Sequence, residues 1–207
     1  MNSILRYTIF VAFCCLFIIQ VAAAQDKSPH TQPDKTSKPI TPPLTKESEI
    51  EFPDVDGWEK IGIRKYPTAE LGYSVGYQSE EGGTVTVYVY NAGLKNIPSD
   101  ITGKTVKSEI ERAKNDIHQL GKADYYQDVK ELKNDTVTLG GTAGKVKALH
   151  SLFSFKAKGQ ALTSEIYLFG YQNNFIKIRA SRSKDAGETA NKALAKLLAE
   201  IDTLFSK

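Results

Sequence analysis

Several short runs in this chain carry residue types that could do chemistry. Gly72-Tyr73-Ser74-Val75-Gly76 matches the G-x-S-x-G pattern of a serine-hydrolase nucleophile elbow, with His150 and several aspartates downstream. "GGTAGK", residues 140–145, has the outline of a phosphate loop, and "DVDG", Asp54 to Gly57, that of the start of a calcium loop. Tyr88 and Tyr90 in "TVTVYVYN", with Lys177 and Arg179 in "FIKIRAS", are aromatic and cationic side chains of the kind that anchor binding partners.

Each motif needs a particular element to position it. A nucleophile elbow is a strained turn between a strand and a helix. Here Tyr73, Val75 and Tyr77 alternate with Ser74 and Gly76, which is a strand face. A second alternating run, Thr84 to Asn91, follows across Glu81-Gly82-Gly83, so the pair makes a hairpin with Ser74 inside a ladder. A phosphate loop requires Gly where Leu139 stands and Ser or Thr where Val146 stands, and it must open a helix, whereas "GGTAGK" opens a strand. The calcium pattern lacks its third acidic position and has Lys65 in place of the bidentate Glu. His30, His118 and His150 have no ligand spacing, so no metal and no cofactor is expected. No catalytic residue is assigned. The candidate binding set is Tyr88, Tyr90, Lys177 and Arg179.

The chain has 207 residues, enough for one domain with a sizeable core. Residues 1–24 have the form of a cleaved signal peptide: Arg6, an apolar run from Tyr7 to Ile19, and Ala22-Ala23-Ala24 before Gln25. That run is shorter than the ~20 residues a spanning helix needs, so no membrane span is expected after cleavage. The expected location is periplasmic or extracellular. Both cysteines lie in the signal segment, which excludes disulfides and thiolate chemistry from the mature chain. The mature charge, 26 basic against 24 acidic residues, is close to neutral and argues against a nucleic-acid partner. Residues 25–51 hold five of the eight prolines among Lys, Ser and Thr, the composition of a flexible tether.

The globular part, residues 52–207, begins with a strand in "GWEKIGIRKYP" and the hairpin above. Val106, Ile110, Ala113, Ile117 and Leu120 make one helical stripe, with Gly121 placed to end it and Lys114 on the opposite side. "YYQDVKEL" and "TVTLGG" follow as two short strands separated by an Asn134-Asp135 turn. Strands in "KVKALHSLFSF", "ALTSEIYLFGY" and "FIKIRAS" come next, and Ala190, Leu194, Leu197, Ile201 and Leu204 stripe a final helix. Two helices on about seven mostly antiparallel strands is an α+β domain.

The succession "LGYSVGYQ", "TVTVYVYN", a long helix, "VTLGGTAGKVKALHSLF", "IYLFGYQNNFIKIRAS" and a closing "LLAEIDTLF" resembles the PsbP-like proteins, whose relatives include Mog-type and DcrB-like proteins. The resemblance covers about residues 53–207. It implies an α-β-α sandwich and transfers no catalytic residue or metal ligand. The expected function is that of an exported, non-catalytic protein binding a protein or envelope component; the alternative is a hydrolase or other enzyme whose site no motif reveals.

Overall fold

A computed structural model describes residues 50–206. The signal segment, the cysteines, His30 and nearly all of the proline-rich tether lie outside them. The described chain forms one seven-stranded antiparallel sheet and two long helices. The strands are β1 (Glu59–Lys65), β2 (Tyr73–Ser79), β3 (Gly83–Tyr90), β4 (Gln127–Thr138), β5 (Lys147–Ala157), β6 (Gln160–Tyr171) and β7 (Asn174–Ser183), and the helices are α1 (Lys104–Lys122) and α2 (Gly187–Phe205). In space the strands run β1-β2-β3-β7-β6-β5-β4. After β3 the chain crosses one face as α1 to the far edge, and β4 to β7 then zip back until β7 pairs with β3. The fold class expected from the alternating runs and helical stripes is the one observed.

Local chemistry fixes the register. Two tight hairpins close β5–β6 and β6–β7, with Lys158 and Gly159 (φ +50° and +77°) and Gln172 and Asn173 (φ +45° and +61°) at their tips. Both central residues of each turn are left-handed, the geometry that matches the twist of paired strands. With that register set, each strand's alternation sorts its side chains onto two faces. Val75, Tyr77, Val85, Val87, Val89, Ile176 and Ile178 meet Leu194, Leu197, Leu198, Ile201 and Phe205 of α2 in one core. Phe52, Val55 and Trp58 extend it, and Trp58 Nε1 donates to the Ala193 carbonyl at 3.1 Å. On the opposite face α1 packs over β4, β5 and β6 and buries Val106, Ile110, Ala113 and Ile117. One helix on each face makes the α-β-α sandwich.

Two local expectations are corrected. β4 is one twelve-residue strand with no turn at Asn134-Asp135. These residues pair with Ser151 and His150, and the strand absorbs its irregularity in bulges near Gln127–Lys130 and Glu131–Lys133. A polar pair that reads as a turn is held extended because the Asp135 carboxylate reaches His150 Nδ1 at 2.7 Å across the ladder. Lys114, expected on the outer face of α1, is buried, with Nζ 3.1 Å from Glu111 and 2.9 Å from Glu131 of β4. Lys114→Asp should therefore destabilise the domain by about 2 kcal/mol, because it gathers three carboxylates at a buried point. Lys114→Met should be much milder. Paired denaturant melts of the two variants check this.

Candidate functional site

Ser74 lies inside β2, and no helix follows it. Its hydroxyl is hydrogen-bonded to the Tyr66 hydroxyl at 2.9 Å. A phenol is no general base at neutral pH, and the strand offers no elbow to expose the serine. The first glycine of the motif has a different reason to be there. Gly72 has φ +59°, and a Cβ on it would stand 1.9 Å from the Val89 carbonyl oxygen. The pattern arises from a strand entry pressed against its neighbour.

The "GGTAGK" loop does bind an anion, but the anion is internal. Asp202 of α2 accepts the Lys145 N–H at 3.1 Å and the Val146 N–H at 2.8 Å. Gly140 and Gly144 let the loop close around that carboxylate: a Cβ on Gly144 would lie 2.5 Å from Gly140 N. In "DVDG" the acids serve as counterions, Asp54 to Lys60 at 2.7 Å and Asp56 to Lys196 at 2.8 Å.

Tyr88, Tyr90, Lys177 and Arg179 come together on the α1 face. β3 pairs with β7 so that Tyr88 stands opposite Lys177, Tyr90 opposite Phe175 and Thr86 opposite Arg179. Lys177 Nζ lies over the Tyr88 ring at 4.8 Å and the Tyr90 ring at 5.2 Å, in favourable cation–π range. Arg179 donates to Ser164 Oγ and to the Tyr126 hydroxyl, each at 3.2 Å. Because α1 packs chiefly on β4 to β6, its flank of Glu109, Arg112 and Asp116 forms a wall beside this floor. Tyr90 is buried, donates its hydroxyl to Glu109 and packs on Phe175, so it supports the site from beneath. Tyr88, Lys177 and Arg179 are half-buried. Burial, reinforced by the Arg112 charge, lowers the Lys177 ammonium to about 8. Burial also raises the Asp116 carboxyl, against the pull of Arg112 3.6 Å away. The result is an aromatic and cationic cleft in the sense of a β3–β7 floor beside the α1 flank.

No family model matches the chain, and no curated protein matches it. Among solved structures it is similar to the solution structure of cyanobacterial PsbP (CyanoP) from Synechocystis sp. PCC 6803, at 10% identity and a TM-score of 0.44, over 70% of this chain and 81% of that one. At that distance no residue role carries over.

A second polar cluster has no counterpart in any motif. On the α2 face, His150 of β5 bonds Asp135 of β4 through Nδ1 at 2.7 Å and Glu165 of β6 through Nε2 at 3.0 Å. Glu165 also accepts from Tyr167 and lies 2.6 Å from Arg182 of β7. Ionised carboxylates only accept, so an acid on each ring nitrogen favours the imidazolium form of His150, in which both nitrogens donate. Burial opposes its charge, but the two carboxylates outweigh it and raise its pKa. Glu165 is pushed up by burial, yet His150, Tyr167 and Arg182 together hold it at about 2. Among the described residues no group of His, Cys, Asp or Glu is placed to hold a metal ion. Asp135, His150 and Glu165 follow one another at fifteen-residue intervals, as do Tyr167 and Arg182, a spacing set by the lengths of successive hairpins and matching no catalytic or metal motif. The other sequence signal is charge at core-facing positions of apolar strands.

The network's pH dependence follows from these directions. The Glu165 contribution is present above its unfolded value near 4.5 and is lost as pH falls toward about 2. The His150 contribution is present below 6.5 and is lost as pH rises through its raised folded value. Both act together between these limits. His150→Phe should lose about 2 kcal/mol there and should flatten the fall in stability above pH 6.5. Melting temperature against pH for both proteins checks it.

Proposed function

We propose that this is an exported, non-catalytic binding protein whose cleft beside α1 holds a protein or another envelope component. The observation carrying the proposal is the adjacency of Tyr88, Lys177 and Arg179 on one sheet face beside a charged helix wall. Half-buried Tyr and Arg side chains on a rigid sheet lose little freedom on binding, which favours them as anchors. The N-terminal pattern supports export, and among the described residues no helix is long and apolar enough to cross a membrane. Kinship in fold with PsbP-like, Mog-type and DcrB-like proteins is part of the proposal and assigns no partner.

Two measurements test it. The intact mass of protein from its native source should correspond to a chain beginning at Gln25; a retained segment would remove the export half. The protein used as bait against extract of that compartment should retain a partner that Tyr88→Ala and Arg179→Gln release at least tenfold more readily. Equal retention by correctly folded variants would remove the cleft from the proposal.

A further inference from the structure

Lys177 is the one member of the cleft whose charge the protein leaves unanswered at close range. Arg112 is answered by Glu109, its Nε donating to Oε2 at 2.8 Å, and its Nη1 faces Asp116 at 3.6 Å. Arg179 uses two of its donors on Ser164 and Tyr126. Lys177 Nζ makes no hydrogen bond or ion pair with any described residue; its close partners are the two tyrosine faces. A tyrosine face attracts a cation, but it accepts none of the directed N–H bonds that a charged acceptor would take. The three N–H donors of Lys177 are therefore not committed to acceptors among the described residues.

The surrounding charges say what would fill them. The groups facing Lys177 are Tyr88 and Tyr90 from β3, Arg179 from its own strand, and Glu109, Arg112 and Asp116 from α1. Three cations against two carboxylates leave one positive charge. A monoanion neutralises the cleft, whereas a phosphate dianion would place a surplus negative charge beside Asp116 and Glu109. The tyrosine rings beside the ammonium add an apolar surface suited to a short methylene stem.

Building on the binding function proposed above, we propose that the cleft recognises a carboxylate side chain on an acidic segment of a protein partner, seated on Lys177 and Arg179 with its stem against Tyr88. Recognition of this kind depends on protonation. The ammonium is charged below about 8 and is lost above it, so the carboxylate should bind best from pH 5 to 7. Above about 8 its affinity should fall by up to about tenfold per pH unit.

The test uses end-capped peptides as probes: a triglutamate, the matching triglutamine, and inorganic phosphate as a third arm. Binding is followed by the amide resonances of residues 86–90 and 175–179 in the isotope-labelled protein. The triglutamate should shift these resonances, the triglutamine should not, and phosphate should bind more weakly. Lys177→Met keeps length and apolar contact, so it should fold normally and lose at least tenfold in triglutamate affinity. If that variant does not fold, the pH series on the unaltered protein decides. Triglutamate affinity unchanged between pH 7 and 10, equal binding of the triglutamine, or phosphate binding as tightly as triglutamate would overturn the proposal. Partner capture that needs Tyr88 and Arg179 but ignores pH and Lys177 would sink the carboxylate and leave the binding function standing.

Discussion

Leu197→Asp should leave the domain without a cooperative unfolding transition. Leu197 is fully buried at the centre of the α2 stripe, among Leu194, Leu198 and Ile201 and the valines of β2 and β3. Removing the leucine forfeits about 2–5 kcal/mol of transfer and packing energy. The aspartate then meets apolar neighbours alone; whether it stays charged or takes up a proton, an unsatisfied polar group there costs several kcal/mol more. Together these approach the whole stability of a domain, about 5–15 kcal/mol. Near-ultraviolet circular dichroism and a thermal melt measure it directly. A cooperative melt within a few degrees of the parent would mean that the phase of α2 has been misassigned.

Asp202→Ala should be the next most damaging change, although alanine is a good helix former. Asp202 is a buried charged side chain on α2, and its carboxylate is the acceptor for the Lys145 and Val146 N–H groups. Its loss strands the buried Val146 N–H and turns the part-buried Lys145 N–H toward water, in a loop whose glycines have closed around the missing group. At roughly 1–3 kcal/mol for the stranded donor, with the lost charge-assisted bond to Lys145 added, the expected loss is about 3 kcal/mol. Asp202→Asn keeps one acceptor oxygen and should lose less than half of that. Equal losses would point to packing of the side chain, not to its hydrogen bonds. The same loop explains why a phosphate-loop outline occurs in a strand-opening turn: glycines that expose backbone N–H groups suit any anion, and this chain supplies its own.

Much of the framework is legible in the sequence because burial imposes periodicity. Val85, Val87 and Val89 mark a strand, and Val106, Ile110, Ala113 and Ile117 mark a helix face, without any tertiary information. The four candidate binding residues follow from residue type and strand phase, and the β3–β7 register sets Lys177 opposite Tyr88 and over both tyrosine rings, with Arg179 two positions along the same strand. What periodicity does not carry is the identity of a polar residue's partner. Asn134-Asp135 has the local chemistry of a turn, and only the position of His150 on the neighbouring strand makes it extended. Lys114 is one step off the apolar stripe and is drawn inward by Glu131, a residue that the linear pattern places in a different element. The His150 network joins four strands through contacts that exist only once the sheet is assembled. Tyr90 shows the converse: its phase is shared with Tyr88, but Glu109 of α1 covers it.

The central claim, that binding occurs in the cleft beside α1, is tested most directly by hydroxyl-radical footprinting of the protein with and without its captured partner. Tyr88 lies in the cleft and is half-buried, whereas Tyr125, 60% exposed, precedes the edge strand β4 and serves as the internal control. Partner binding should reduce oxidation of Tyr88 at least severalfold and leave Tyr125 unchanged. Protection of Tyr125 with Tyr88 unaffected would place the partner on the β4 side and contradict the account.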